Sequence, residues 1–307
     1  MIDNFVIFGH GKRVVENIIP ALKSLNPNIK YTTYTKTGKY VDGYVYRETK
    51  KFKDFEISES IKNYIISVPP ENTMNCINKI KELVNSKNIN IFLDTPVHKN
   101  LHVYKDSSNI CVLEDIKFLP WLDYFQDNKI VIKSVLLNQS GYEYHGVALA
   151  KQLIQEKVIN SKRLFKNDSI KTTIKFENFK HVEILSPRNY KHGSIEIETI
   201  NSKKYILGNK NLYPGFLNQD VIFLEDILDF ENDESIKSLE KFNSNLKINP
   251  LNFVASMEVF KVAGLSRLFK EYIYTKSSKT TIRESIEEQN IASKNKNFIR
   301  AKKLLSF

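Results

Sequence analysis

Residues 1–25 limit what this chain can fold into more than any other stretch. Phe5-Val6-Ile7-Phe8 is a short apolar run suited to a strand buried on both faces of a parallel sheet. Gly9-His10-Gly11-Lys12-Arg13-Val14 follows at once, and Val15, Ile18, Ile19 and Leu22 then recur at helical spacing. Two glycines let a backbone turn sharply and approach a ligand, while a helix start offers free N–H groups at a positive dipole end. Strand, glycine turn and helix in this order are the layout that grips a dinucleotide pyrophosphate. The third glycine of G-x-G-x-x-G is missing, with Val14 in its place. An ordinary strand-turn-helix uses glycines for geometry alone, and the turn by itself leaves that reading open.

Length and composition set the outer limits. A chain of 307 residues can build two domains of ordinary size, and 41% hydrophobic with 26% charged residues is the balance of a soluble globular protein. No apolar stretch reaches bilayer length and the N-terminus reads as a strand, so a cytoplasmic protein without a membrane partner is expected. Cys76 and Cys111 are too few for a disulfide framework and have no metal-ligand spacing. His98, His102 and His181 show none either, so no metal site is expected. The net charge of +11 comes from lysines scattered among asparagine and isoleucine, without a basic stripe interleaved with aromatics. A nucleic-acid partner is therefore not expected. Most of that charge reads as solvated surface, and some of it favours an anionic ligand.

The first third alternates strands with helical patterns. Lys30 to Tyr34 reads as a second strand, Tyr44 to Tyr46 as a weaker third with a short helix at Ile57 to Lys62, and Asn63 to Val68 as a fourth. Met74, Ile77, Ile80 and Leu83 mark a helix from Thr73; Ile89 to Leu93 and Ile110 to Leu113 close the series. Beyond Phe118 the character changes. A connecting helix begins near Trp121, Lys129 to Asn138 reads as a strand, and Val147 to Gln155 as a helix. From Ile170 to about Phe260 strand-like segments dominate, including Lys171 to Phe176, Val182 to Leu185 and Ser194 to Ile200. Phe253 to Phe269 reads as an amphipathic helix, and Thr281 with Glu284 has the spacing of a capping box. The expected fold is α/β: a Rossmann doubly wound sheet over residues 1–118, then an α+β domain with a mostly antiparallel sheet over 119–307.

Ligands of doubly wound sheets bind beyond the carboxyl ends of the strands. Four special segments fall at such ends: Gly9-His10-Gly11-Lys12-Arg13, Thr35-Lys36-Thr37, Val68-Pro69-Pro70 and Asp94-Thr95-Pro96. An acidic residue after the second strand accepts bonds from a ribose 2′-hydroxyl and repels a 2′-phosphate. No Asp or Glu lies between Ile29 and Lys39, whereas Thr35 and Lys36 offer a donor and a cation. NADP is thus expected ahead of NAD, although Lys36 also reads as one more surface lysine. Lys12 and Arg13 are candidates to approach the phosphates.

These segments together resemble the Gfo/Idh/MocA oxidoreductases, the glucose-fructose oxidoreductase and inositol dehydrogenase group. The likeness rests on Gly9-His10-Gly11, Pro20-Ala21-Leu22, Ile66-Ser67-Val68-Pro69-Pro70, Asp94-Thr95-Pro96 and the change to a sheet-rich half near residue 119. It covers the first half of the chain best. It implies hydride transfer between a nicotinamide cofactor and a sugar or nucleotide-sugar, at a hydroxyl, carbonyl or imine, in a homo-oligomer. Two departures stand out. Thr95 occupies the place of the lysine in the family's Glu-Lys-Pro, and Thr73 that of a histidine after the paired prolines. Thr95 and Thr73 keep hydrogen-bonding capacity toward a cofactor, but threonine is a poor proton donor.

Ser140-Gly141-Tyr142-Glu143-Tyr144-His145-Gly146 lies about where the family carries a Gly-x-His segment lining the substrate site. Carbonyl reduction needs a proton at the developing alkoxide, which histidine or tyrosine can supply. His145, with Tyr144 or Tyr142, is the expected donor; helix-start packing and aromatic filling are the competing uses of these side chains. Glu114-Asp115, at a strand end, reads first as a solvated turn and second as a pair that orients substrate or the domain hinge. Arg188-Asn189-Tyr190-Lys191-His192 reads as a polar hairpin or as an anion-binding loop. A non-catalytic dinucleotide-binding sensor or enzyme partner is the alternative that Thr95 keeps open.

Overall fold

The computed structural model describes residues 4–36, 49–58, 60–80, 88–166, 169–213, 221–228, 233–242, 253–275 and 280–293. The chain forms two compact units. One comprises Met1–Pro120, Glu231–Lys247 and Glu258–Ile286, and the other Trp121–Phe230, Ile248–Met257 and Glu287–Phe307. Among the described residues no helix is long and apolar enough to cross a membrane.

In the first unit, strands β1 (Asn4–Phe8), β2 (Lys30–Thr35), β3 (Thr49–Lys51), β4 (Asn63–Ile66), β5 (Asn90–Leu93) and β6 (Ile110–Val112) form one sheet. Their order is β3-β2-β1-β4-β5-β6 and every pairing is parallel. That is the doubly wound order, with its reversal between β1 and β4. Both faces are buried along β1, β4, β5 and β6, which explains their unbroken apolar runs. Val6, Phe8, Tyr64, Ile66, Ile91 and Leu93 point into one core with Ile77 and Ile80. Phe5 and Phe92 point the other way, with the Phe269 ring 6.3 and 5.0 Å from theirs. Phe269 belongs to a long helix, Phe253–Thr275, in which residues on nearly every side are buried between Ser256 and Phe269. It is therefore a core helix and not the amphipathic one that its sequence suggests. The tail helix, Ile282–Ser293, starts as its spacing predicts. The Thr281 amide donates to Glu284 and the Glu284 amide donates to Thr281 Oγ1, each at 3.2 Å.

Two expectations near β3 fare differently. Tyr44 to Tyr46 lies outside the described residues, as do Thr37 and Leu83. The helix expected at Ile57 to Lys62 is absent among the described residues of that stretch; a 3₁₀ turn, Phe52–Asp54, is followed by irregular chain with a turn in which the Ile61 amide donates to Ser58 O at 3.1 Å. The cause is aromatic packing. Phe52 and Phe55 set their rings edge-on to Phe8 at 5.5 and 4.9 Å, while Ile57 is left exposed, so no apolar helical stripe forms.

The second unit is built on β7 (Ile132–Asn138), β8 (Val158–Lys166), β9 (Ser169–Phe176), β10 (His181–Ser186), β11 (Ser194–Thr199), β12 (Lys204–Gly208) and β13 (Val221–Phe223). Their order is β13-β12-β11-β7-β10-β9-β8, antiparallel except for β7 with β10 and β12 with β13. Burial alternates along β7 and β10, as one covered face requires. Helix Glu143–Ile154 covers that face, and a Cβ at Gly146 would sit 3.0 Å from Ile184. Strands do not continue to Phe260. Helix Leu224–Ile227 follows β13, and next in the chain comes Glu234–Phe242, which belongs to the first unit and is capped by Asp233 Oδ1, which accepts from the amides of Ser235 and Ile236 at 2.9 and 3.1 Å.

Candidate active site

In the first unit the glycine turn leaves the end of the central strand. Gly9 has φ +116°, and a Cβ built there would lie 1.9 Å from the Ser67 carbonyl oxygen. The Gly9 amide donates to Tyr34 O and the Ser67 amide donates to Phe8 O, both at 2.8 Å, so the chain leaving β1 is held between β2 and β4. Only glycine fits that close backbone approach. Gly11 is different, since a Cβ there meets nothing within 4 Å. Its carbonyl accepts from the amides of Val14 and Val15 at 3.0 and 3.1 Å, which opens the helix. A helix start leaves its first N–H groups without intrahelical acceptors. Open space beside those donors is what a pyrophosphate needs. Val14 is fully buried and heads a wider π-type turn, Val14–Ile18, before the α-helix Ile19–Leu25. His10 is buried, and desolvation pushes its imidazole below the ordinary value, so it is neutral at pH 7.

Arg13 turns inward. Its Nη2 and Nη1 donate to the two carboxylate oxygens of Asp115 at 2.9 and 3.3 Å, and Nε to Asp94 Oδ1 at 3.4 Å. Asp94 also accepts from Ser67 Oγ at 2.6 Å and from the Thr95 amide at 3.0 Å. Burial alone would lower the arginine's pKa, but the carboxylates of Asp115 and Asp94 more than offset this and hold the cation firmly charged. Glu114 and Asp115 are thus buried, and the solvated turn expected there does not form, because Arg13 supplies the countercharge. Lys12 is exposed and lies 3.4 Å from Glu16. Thr35 is half-buried at the end of β2, with Lys36 exposed beside it. Val68 and Pro70 are half-buried, Pro69 is exposed, and Thr73 is buried at the head of helix Thr73–Lys79. Thr95 and Pro96 are half-buried past β5.

In the second unit the parallel pairing of β7 with β10 sets Asn138 against Leu185, so the chain leaves both strands at one end of the sheet. Tyr142, Tyr144 and His145 stand there, at the start of helix Glu143–Ile154. The Tyr142 and Tyr144 rings are stacked with centroids 6.1 Å apart, and His145 lies 4.2 Å from Tyr144 and 6.1 Å from Tyr142. Glu143, between them, is taken up by Arg163 and Thr172. This ties the helix start to β8 and β9. Arg188, from the chain after β10, places its guanidinium 4.4 Å over Tyr142 and 5.1 Å over Tyr190. The sequence did not single out Ser67 as a bonding partner, and it offered Asp115 as a solvated or orienting residue and not as the partner of Arg13. A carboxylate directly after a buried strand is the signal that was there to read.

No family model and no curated protein matches the chain. Solved structures do match it. Myo-inositol 2-dehydrogenase from Lactobacillus plantarum aligns over 95% of this chain and 96% of its own, at 13% identity and a TM-score of 0.63. Scyllo-inositol dehydrogenase from Lactobacillus casei, solved with NAD(H) and scyllo-inositol bound, aligns over 95% of both chains at 11% identity and a TM-score of 0.58. A dehydrogenase (MviM) from Clostridium difficile aligns over 97% of this chain and 99% of its own, at 11% identity and a TM-score of 0.58. These neighbours are dehydrogenases of the Gfo/Idh/MocA family, and this chain has their fold.

Proposed function

We propose that this protein is a nicotinamide-dependent oxidoreductase acting on a sugar-like hydroxyl or carbonyl, with NADP preferred. The observation that carries the reading is the unfilled space at Gly11 beside a helix start, at the end of the central strand of a doubly wound sheet. The bound NAD(H) and scyllo-inositol of the Lactobacillus casei neighbour support it. The Gly9–Gly11 turn would hold the pyrophosphate, Thr35 and Lys36 the ribose phosphate, and Val68 to Pro70, Thr73 and Asp94 to Pro96 would line the cofactor beyond β4 and β5. The bound nicotinamide supplies the hydride chemistry. Arg13 acts through Asp94 and Asp115 as a positioning residue, fixing the chain past β5 and β6. His145, braced against Tyr144, holds the proton that a developing alkoxide needs, since Thr95 cannot donate it efficiently.

Cofactor preference is tested by titrating NADPH and NADH into wild type and Lys36→Glu, following nicotinamide fluorescence. NADPH should bind wild type about tenfold or more tightly than NADH, and the substitution should remove or reverse that preference. Equal affinities, unmoved by the substitution, would remove the 2′-phosphate assignment. His145→Ala should lower kcat about a hundredfold over a sugar panel while leaving the NADPH Kd unchanged. Full activity would exclude His145 as the donor. NADPH binding by wild type without turnover of any sugar would favour a non-catalytic sensor.

A further inference from the structure

Arg188 is an exposed cation without an ion pair among the described residues; what it touches are two aromatic faces. Stacking holds a guanidinium by its plane and leaves its in-plane N–H donors available, while the charge stays unneutralised. The loop that presents it is built rather than loose. The Asn189 amide donates to Gln139 O at 2.9 Å and Asn138 Nδ2 donates to His192 O at 3.2 Å, so the chain after β10 is fastened to the chain after β7. Lys191 and His192 are exposed on the same loop. The nearby acid on the helix, Glu143, is already committed to Arg163 and Thr172. Tyr142 is shared: Arg188 lies over its ring and His145 stands 6.1 Å from it.

We infer that the substrate is a sugar bearing an anionic group, phosphate or carboxylate, and that Arg188 is the specificity-determining residue that takes this group in a forked contact. The inference rests on the oxidoreductase reading for the role of His145, but not for the binding of the anion. Planar donors match both kinds of oxyanion, and a preorganised guanidinium loses little freedom on binding. Lysine at this position would keep the charge and lose both the stacking and the fork.

The test is calorimetric binding of glucose, glucose 6-phosphate, glucuronate and UDP-glucose to the full chain, with and without saturating NADPH. At least one charged sugar should bind about tenfold or more tightly than glucose, and Arg188→Gln should abolish that difference while leaving the NADPH Kd and the melting temperature unchanged. Arg188→Lys should restore only a small part. Which of the three charged sugars gains most separates a phosphomonoester from a carboxylate and from the diphosphate of a nucleotide-sugar. Glucose binding as tightly as all three, or a charged-sugar preference that survives Arg188→Gln, overturns the inference. Turnover of neutral sugars, with no charged sugar bound more tightly than glucose, would leave the oxidoreductase reading standing and sink this one. Arg188-dependent binding of a charged sugar without any turnover would do the reverse.

Discussion

Gly9→Ala should destabilise the first unit by more than about 3 kcal/mol, because two independent penalties meet at one atom. At φ +116° an alanine is strained in any surroundings, and its Cβ would stand 1.9 Å from the Ser67 carbonyl oxygen. Neither obstacle can rotate away, since Ser67 is itself held to β1 through its amide. For a domain of this size the loss corresponds to a fall in Tm of roughly 6–12 °C, readable by thermal melting of the full chain. Gly11→Ala should behave in the opposite way. Its Cβ enters open space, so Tm should stay within about 2 °C, while the NADPH Kd should rise about tenfold because a methyl group then occupies the pyrophosphate's approach. A Gly9→Ala protein that melts like wild type would refute the tight-approach assignment. A Gly11→Ala protein that binds NADPH normally would remove this turn as the cofactor's cradle.

Arg13→Ala should cost about 3–5 kcal/mol, the range seen when one member of a buried ion pair is removed. The side chains of Asp115 and Asp94 are only 4% and 12% exposed, so both would be left as carboxylates with little water to replace the guanidinium. Arg13→Lys should rescue little, because a point charge cannot repeat the two-pronged contact with Asp115. Asp115→Asn in the Arg13→Ala background should recover part of the loss by removing one stranded charge. A double-mutant cycle in urea measures that coupling. Additive losses would mean that the two side chains act separately.

The chain shows why some of this was legible and some not. The β1 turn, the strand-end segments and the Thr281 capping box could be read because each depends on neighbours within a few residues. β8 escaped because Asn160, Lys162 and Lys166 break the apolar alternation; among the described strands it lies at the sheet's edge and pairs with β9 alone. The long helix before the capping box was misjudged for a related reason. Phe253–Thr275 reads as amphipathic when seen alone, yet Phe269 and Tyr272 meet Phe92, a residue far earlier in the chain.

By itself the sequence determined the doubly wound first sheet, the sheet-rich second unit and the site of the glycine turn. Hydrophobic period and glycine placement are local properties, and the backbone obeys them directly. Only the tertiary structure decided what the charged residues do. Arg13 reads as a phosphate ligand beside a glycine turn, but its carboxylate partners lie 81 and 102 residues away, and packing turns it from the turn to them. The same holds for the two glycines. Gly9 is required by a carbonyl delivered from another strand, whereas Gly11 faces nothing in the protein, and that difference exists only once β4 lies beside β1.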